Sequence, residues 1–288
     1  LLTGCPVNPN EKYADVPHLL LNEIQGSPYV NGNRFIEVYN EGGVSAQLSE
    51  YSIRTEGAIW DSVNNIYTMQ PTDVLFDLPN VTVYPGSYLI LATFSSDPGD
   101  LPVNVVDASG SDGTTLAIET SGEVELLHNG RTEDYVRFGV EEDDTIAPAN
   151  GSFSGTAPEM YLDPDSYNVY GIERDGSSTD TNSGDDWQIT RYSTLGAPND
   201  VAGYVDTDRD GIPDANEVSG TTYAGMPVYE WGARPGVRDL FIHITYMNQQ
   251  GTNSTVPGLS PTRAALDKVV SEFSKHGFAL HIDVGDLF

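Results

Sequence analysis

The 288-residue sequence predicts a mainly β fold that gives way near its end to a partial α/β unit, with an acidic linker between the two. Three observations predict it. Most of the chain consists of short runs rich in Val, Ile, Leu, Tyr and Phe, punctuated by turn chemistry, and the chain has 29 Gly and 18 Pro. A single stretch near the end carries helical periodicity between two apolar runs. Between these regions stands "DTDRDGIPDANE", Asp206 to Glu217, whose acidic residues alternate. Hydrophobic residues make up 38% of the chain, enough to bury a core and too many for a disordered one.

The strands can be taken in order. "HLLLNEI" is an apolar run closing on Asn22 and Glu23, and "RFIEVYN" sets Phe35, Ile36, Val38 and Tyr39 around Glu37. "EYSIRT", "VLFDLPNVTVY" and "SYLILATF" follow, separated by turns such as "YPGS" and "SSDPGD". Then come "TTLAIET", "EVELLHNG" and "DYVRFGV", a Gly/Ser/Pro/acid loop over 141–160, and the closing "NVYGIERDG", "DTNSGDDWQIT" and "STLGAPN". Short strands at this spacing predict a sandwich or barrel.

The segments "LLLNEIQGSPYVNGNRFIEVYN", "LSEYSI", "VYPGSYLILAT", "VELLHNGRTEDYV", "YGIERDGSSTDTNSGDDWQI" and "STLGAPN" follow in order the pattern of lamin-tail domains, so the region from Leu19 to Asn199 resembles that family. The resemblance implies an immunoglobulin-like β-sandwich, here with a longer insertion between Val140 and Tyr170. It also implies an accessory module of the kind fused to secreted nucleases, proteases and surface proteins, with no catalytic set. The signature residues read most simply as structural: Glu23, Glu37 and Asn40 satisfying backbone groups at sandwich edges, Arg174, Asp180 and Asn182 pinning the last loop, and Trp187 anchoring the core.

In "DTDRDGIPDANE" the pattern of an EF-hand loop is met at every position. Asp206, Asp208, Asp210 and Asp214 stand at one, three, five and nine, the Ile212 carbonyl at seven, and Glu217 at twelve. A hard cation with bonds of about 2.3–2.6 Å takes roughly six to eight oxygens, which alternate side chains in a tight turn provide. Gly211 permits the reversal, and Glu217 has the reach to bind through both oxygens. The flanks "GAPNDVAGYV" and "NEVSGTTYAG" offer no long helices, so the expected role is structural, with Ca2+ as the cofactor, and not sensing. In this the segment resembles thrombospondin type 3 and dockerin calcium repeats, although a single copy is present. Calcium is expected to make the linker rigid. The other acidic clusters ("EEDD" at 141–144, "DPDS" at 163–166, "SGDDW") lack the spacing and read first as turns.

After "WGARPG" the pattern changes. "RDLFIHITYM" and "FALHIDVG" read as strands around the helix "SPTRAALDKVVSEFSKHG", with Ser260 as N-cap, Pro261 in the first turn, Gly277 as the stop, and Leu266, Val269, Val270 and Phe273 on one apolar face. Strand, helix and strand make one crossover unit. The stretch resembles the opening of secreted metallopeptidase domains, but His-Glu-x-x-His is absent and the five histidines lack metal-ligand spacing. His243 and His281 on adjacent strands read as a structural pair. No nucleophile elbow and no phosphate-binding glycine loop is evident.

With 43 acidic against 13 basic residues the formal net charge is −30, which repels nucleic acid and anionic lipid. The one cysteine, Cys5, excludes an internal disulfide, and its setting "LLTGC" resembles the lipid-attachment end of a bacterial lipoprotein signal. The expected layout is a lipobox and tether over 1–16, a sandwich over 17–200, a calcium linker over 201–220 and an incomplete α/β domain over 221–288. The expected protein is a secreted or cell-surface lipoprotein, anchored to the bacterial outer membrane or cell envelope only through a lipid on Cys5, and non-catalytic as it stands. Its partner would be a surface polymer, another protein or further copies of itself, as in a surface filament. The enzyme alternative is the N-terminal part of a calcium-dependent zinc metallopeptidase.

Overall fold

The computed structural model describes residues 13–25, 34–61, 66–70, 75–93, 104–108, 116, 118, 121–139, 148–156, 158, 160, 171–190, 192–201, 205–245 and 261–285. Cys5, the Ser260 cap and the clusters at 141–144 and 163–166 lie outside the described residues. The chain divides into two compact units, Leu1–Asn199 and Asp200–Phe288, so the acidic loop belongs to the second.

The first unit is β-rich. Its strands are β1 (Leu19–Gln25), β2 (Arg34–Asn40), β3 (Ala46–Gln47), β4 (Tyr51–Asp61), β5 (Ile66–Gln70), β6 (Leu75–Asp77), β7 (Thr82–Val83), β8 (Tyr88–Thr93), β9 (Val105–Asp107), β10 (Gly122–His128), β11 (Arg131–Phe138), β12 (Gly171–Arg174) and β13 (Trp187–Thr190). A six-stranded sheet runs β13-β12-β1-β2-β8-β9, and a five-stranded sheet runs β11-β10-β4-β5 with β6 also on β4. Leu21, Ile36, Leu91 and Ile172 from the first sheet meet Ile53, Leu126, Val136 and Phe138 from the second in one core. Trp187 belongs to that core.

β1 shows why its sequence does not alternate. Leu19 and Leu21 face the shared core, and so does Ile24, which is out of step by one residue. The pairing with β2 explains the change: Leu21 lies opposite Val38 and Glu23 opposite Glu37, so Asn22 is an extra residue in a bulge. The bulge sends Asn22 and Glu23 to the chain segment 192–199. Asn22 Nδ2 donates to Glu37 Oε1 (2.9 Å), and Thr194 N donates to Glu23 Oε2 (3.0 Å). Asn199 Nδ2 donates to the carbonyls of Asn22 and Arg174, closing the segment onto the sheet. Glu23 and Glu37 therefore satisfy backbone groups as expected, but from central strands and not from sandwich edges. Desolvation pushes the Glu37 carboxyl up to about 8, and burial raises Glu23 as well. Asn40 accepts from the amide of Gly42 (3.0 Å) and donates to the carbonyls of Val44 and Val83 (3.0 and 2.9 Å).

Arg174 ties the last loop down. Its buried guanidinium donates to the Leu21 and Thr179 carbonyls (both 2.7 Å) and to both oxygens of Asp134 (2.9 and 3.0 Å), and it lies 4.7 Å from the Trp187 ring centroid. Asp180 Oδ1 approaches it at 3.3 Å. Asn182 sits at φ 56°, its amide donating to Asp180 Oδ1. In "SGDDW", Asp186 accepts from Thr181 and Ser183 as a turn residue does.

The second unit contains the short helix α1 (Val228–Trp231), strand β14 (Arg238–His243), helix α2 (Arg263–Lys275) and strand β15 (Phe278–Asp283). β14 and β15 pair in parallel, as a strand–helix–strand unit requires. α2 begins later than the sequence suggests: Thr262, not Ser260, is its N-cap, with the Thr262 hydroxyl accepting from Ala265 N at 3.3 Å. Gly277, at φ 81°, follows its C-cap. Among the described residues, no helix is long and apolar enough to cross a membrane.

Candidate metal centre

The acidic loop is fixed by its own carboxylates and by β14. Asp206 accepts from the amides of Arg209 (2.6 Å) and Gly211 (3.1 Å), which closes the first turn. Gly211 has φ 100°, where a side chain would strain the backbone, although nothing would touch its Cβ. Asp210 Oδ1 accepts from Ile212 N (2.8 Å), and its Oδ2 accepts from Asp239 N on β14 (2.7 Å). Arg238 Nε donates to the Asp208 carbonyl (2.8 Å). Beneath the loop, the Ile212 side chain packs with Val228 and Ala233, and with Tyr223 and Phe241. Burying such a side chain stabilises by about 1.5–3 kcal/mol, so the apolar residue in the middle of the loop anchors it.

Side-chain oxygens of Asp206, Asp208 and Asp210 lie within 4.8 Å of one another, an arrangement that can hold a metal ion. A second group within the same limit consists of Asp210, Glu217 and Asp239. Glu217 is completely buried, and neither of its oxygens has a hydrogen-bond partner. Burying an ionised carboxylate unpaired costs several kcal/mol, so this group calls for a cation or a proton. Without a cation its carboxyl is pushed up to about 8, by burial first and then by the charges of Asp210, Asp208, Asp239 and Asp214. Burial also raises Asp208 and Asp210, with Asp206 adding to both.

The structure thus brings Asp206, Asp208 and Asp210 of the sequence-derived set into one group and sets Glu217 beside Asp210 in the other. Asp214 is placed differently. Both of its oxygens accept from Thr207, one from the amide (2.8 Å) and one from the hydroxyl (2.6 Å), which holds its carboxyl below the usual range. Asp214 therefore closes the loop by bonding its second residue. Asn216, fully buried, holds the exit through Nδ2 bonds to the carbonyls of Asp200 (3.0 Å) and Thr222 (2.5 Å).

Asp239 is the residue that sequence spacing misses. It stands 29 positions from Asp210 and reaches the loop only because β14 runs past it. Its Oδ2 accepts from Arg234 N (3.0 Å), and its Oδ1 meets His281 Nε2 from β15. The His281 ring stacks on Phe241 with centroids 4.6 Å apart. Its near neighbour is Gly232 at φ 122°, where a Cβ would come within 2.5 Å of the ring. His243 pairs instead with Asp283 (2.8 Å), so the two histidines each hold their own aspartate. Among the described residues, no histidine joins a metal-type group.

The fold and the site together define a β-rich chain with a carboxylate-lined, cation-type loop set in a small α/β unit. Comparison with protein-family models, with curated proteins and with solved structures finds no match.

Proposed function

We propose that this chain is a calcium-binding, non-catalytic module of a secreted or cell-surface bacterial lipoprotein, in which a lamin-tail-like sandwich serves attachment or assembly. The observation that carries the calcium reading is Glu217: a fully buried carboxylate, with no donor on either oxygen, beside the carboxylates of Asp210 and Asp239. Oxygen ligands alone, with no thiolate or imidazole among them, suit a hard cation, and the loop's spacing suits calcium. Asp206, Asp208, Asp210 and Glu217 supply the carboxylates and Ile212 a carbonyl, while Asp214 braces the loop. The ion would lock the turn and hold it against β14. The net charge of −30 fits a surface that works where divalent cations screen it. The "LLTGC" setting of Cys5 supports lipid attachment, and the ordered run of segments ending in "STLGAPN" supports the lamin-tail reading.

A second reading, the early part of a larger α/β enzyme domain such as a zinc metallopeptidase, is favoured by one observation. No residue of α2 is buried, and Val269, Val270, Leu240 and Ile242 are 36–43% exposed, so the strand–helix–strand unit shows apolar surface that a larger domain would cover. Calorimetric titration of the intact chain tests the first reading. Saturable calcium uptake, lost in Asp208→Ala, supports it; no uptake, or uptake unchanged by Asp208→Ala, defeats it.

A further inference from the structure

We infer a second cation position beside the first, built from Asp210, Glu217 and Asp239, in which β14 contributes a ligand that the loop does not contain. The inference rests on the calcium reading above and extends it from one ion to two. The carboxylates do not gather into a single group. Asp206 and Asp208 join Asp210 on one side, Glu217 and Asp239 join it on the other, and only Asp210 is common to both. Opposite ligands of one calcium ion stand about 5 Å apart, given bonds of about 2.3–2.6 Å. Each group, with its oxygens inside 4.8 Å, therefore spans one ion, with Asp210 as the bridge.

Charge points the same way. The five carboxylates of the two groups carry five negative charges when ionised; one divalent cation leaves three uncompensated, and two leave one. Two neighbouring arginines are turned to backbone carbonyls, Arg238 to that of Asp208 and Arg234 to those of Tyr229 and Ala233. The most deeply buried carboxylate, Glu217, lies in the second group and has no partner for either oxygen. A loop ion reached by Glu217 through one oxygen would leave its other oxygen and the Asp239 carboxylate without a cation.

Asp239 is oriented for this task. Its carboxylate is held by Arg234 N and His281 Nε2, and its own amide bonds Asp210 Oδ2, so protein contacts fix its position relative to the bridging residue. A carboxylate has about four acceptor positions, and two such bonds leave one on each oxygen. A histidine bonded to a metal-binding carboxylate is the kind of outer support that fixes a ligand. Three carboxylate oxygens, with the second oxygen of Glu217 and water completing the set, again suit calcium. The second ion would join the loop to the paired strands through a metal bridge as well as through the Asp239–Asp210 hydrogen bond.

Equilibrium dialysis of the intact chain against calcium, with calorimetry for the affinities, tests this. The expected result is two ions per chain, reduced to one in Asp239→Asn and to one in Asp206→Asn, with circular dichroism unchanged in both. One ion per chain, unaffected by Asp239→Asn, overturns the second position and leaves the calcium reading intact. No ion at all overturns the calcium reading itself. Should Asp239→Asn fail to fold, Asp206→Asn decides: one ion supports the second position, and none overturns it.

Discussion

Glu217→Gln is the sharpest perturbation of the loop, because it changes one charge in a fully buried side chain and hardly alters its shape. In the presence of calcium at about a hundred times its dissociation constant, binding to the folded state alone stabilises by about 2.7 kcal/mol. The loop belongs to the compact unit Asp200–Phe288. For a domain of that size 1 kcal/mol moves the midpoint by roughly 4–8 °C, so calcium should raise the unfolding temperature of this unit by roughly 10–20 °C. In Glu217→Gln that gain should shrink to a few degrees. In chelator the order reverses: the variant should be at least as stable as the parent, since it no longer buries a carboxyl without a partner. Scanning calorimetry of the intact chain, with and without calcium, measures both. The exposed Glu230→Gln serves as control and should keep the full calcium gain. A Glu217→Gln protein that keeps that gain, or one that is much weaker than the parent in chelator, would refute the reasoning.

Calcium uptake should also displace a proton. With the Glu217 carboxyl at about 8 in the absence of a cation, binding at pH 7 should release close to one proton and weaken as pH falls from 8 to 6, which calorimetry in buffers of different ionisation enthalpy reads directly. Glu37 sets a second pH dependence, in the first unit. Its folded pKa of about 8 lies above the ordinary 4.5, so its contribution to stability is complete below about 4.5 and is lost as pH rises through about 8. The loss is on the order of 5 kcal/mol, and Glu37→Gln should flatten that slope in urea unfolding measured across the range. Arg174→Met should cost about 3–5 kcal/mol, because it strands the buried Asp134, and urea unfolding at neutral pH checks it. Asp134 is already pushed up to about 6 by burial, with Arg174 holding it down, so in the variant it should take up its proton at higher pH still and part of the stability should return as pH falls.

The strands were legible because apolar runs broken by turn residues have few other ways to fold, and the parallel strand–helix–strand unit was legible from the change of period near its end. What local pattern could not show was the second face of the central strands. β1 read as an apolar run closing on Asn22 and Glu23 and β2 as apolar residues set around Glu37, yet all three polar residues are buried because segment 192–199 returns across them through Thr194, Gly196 and Asn199. The bulge at Asn22 left only a faint sign, the missing alternation of "LLLNEI". In the acidic loop the spacing singled out Asp206, Asp208, Asp210 and Glu217, all of which fall in the two acidic groups, but it could not show that Asp214 would bond Thr207. Thr207 offers that carboxylate both an amide and a hydroxyl. Asp239 was invisible for a different reason: tertiary structure alone brings it to Asp210, and nothing in the composition of "RDLFIHITYM" sets it apart.

The most direct test of the account is a crystal structure of the intact chain grown with calcium, with anomalous scattering used to locate the ions. The account predicts anomalous density bounded by Asp206, Asp208, Asp210, the Ile212 carbonyl and Glu217, at ligand distances of about 2.3–2.6 Å. A loop that holds only water there at millimolar calcium, with the Glu217 carboxylate still unpartnered, would contradict it.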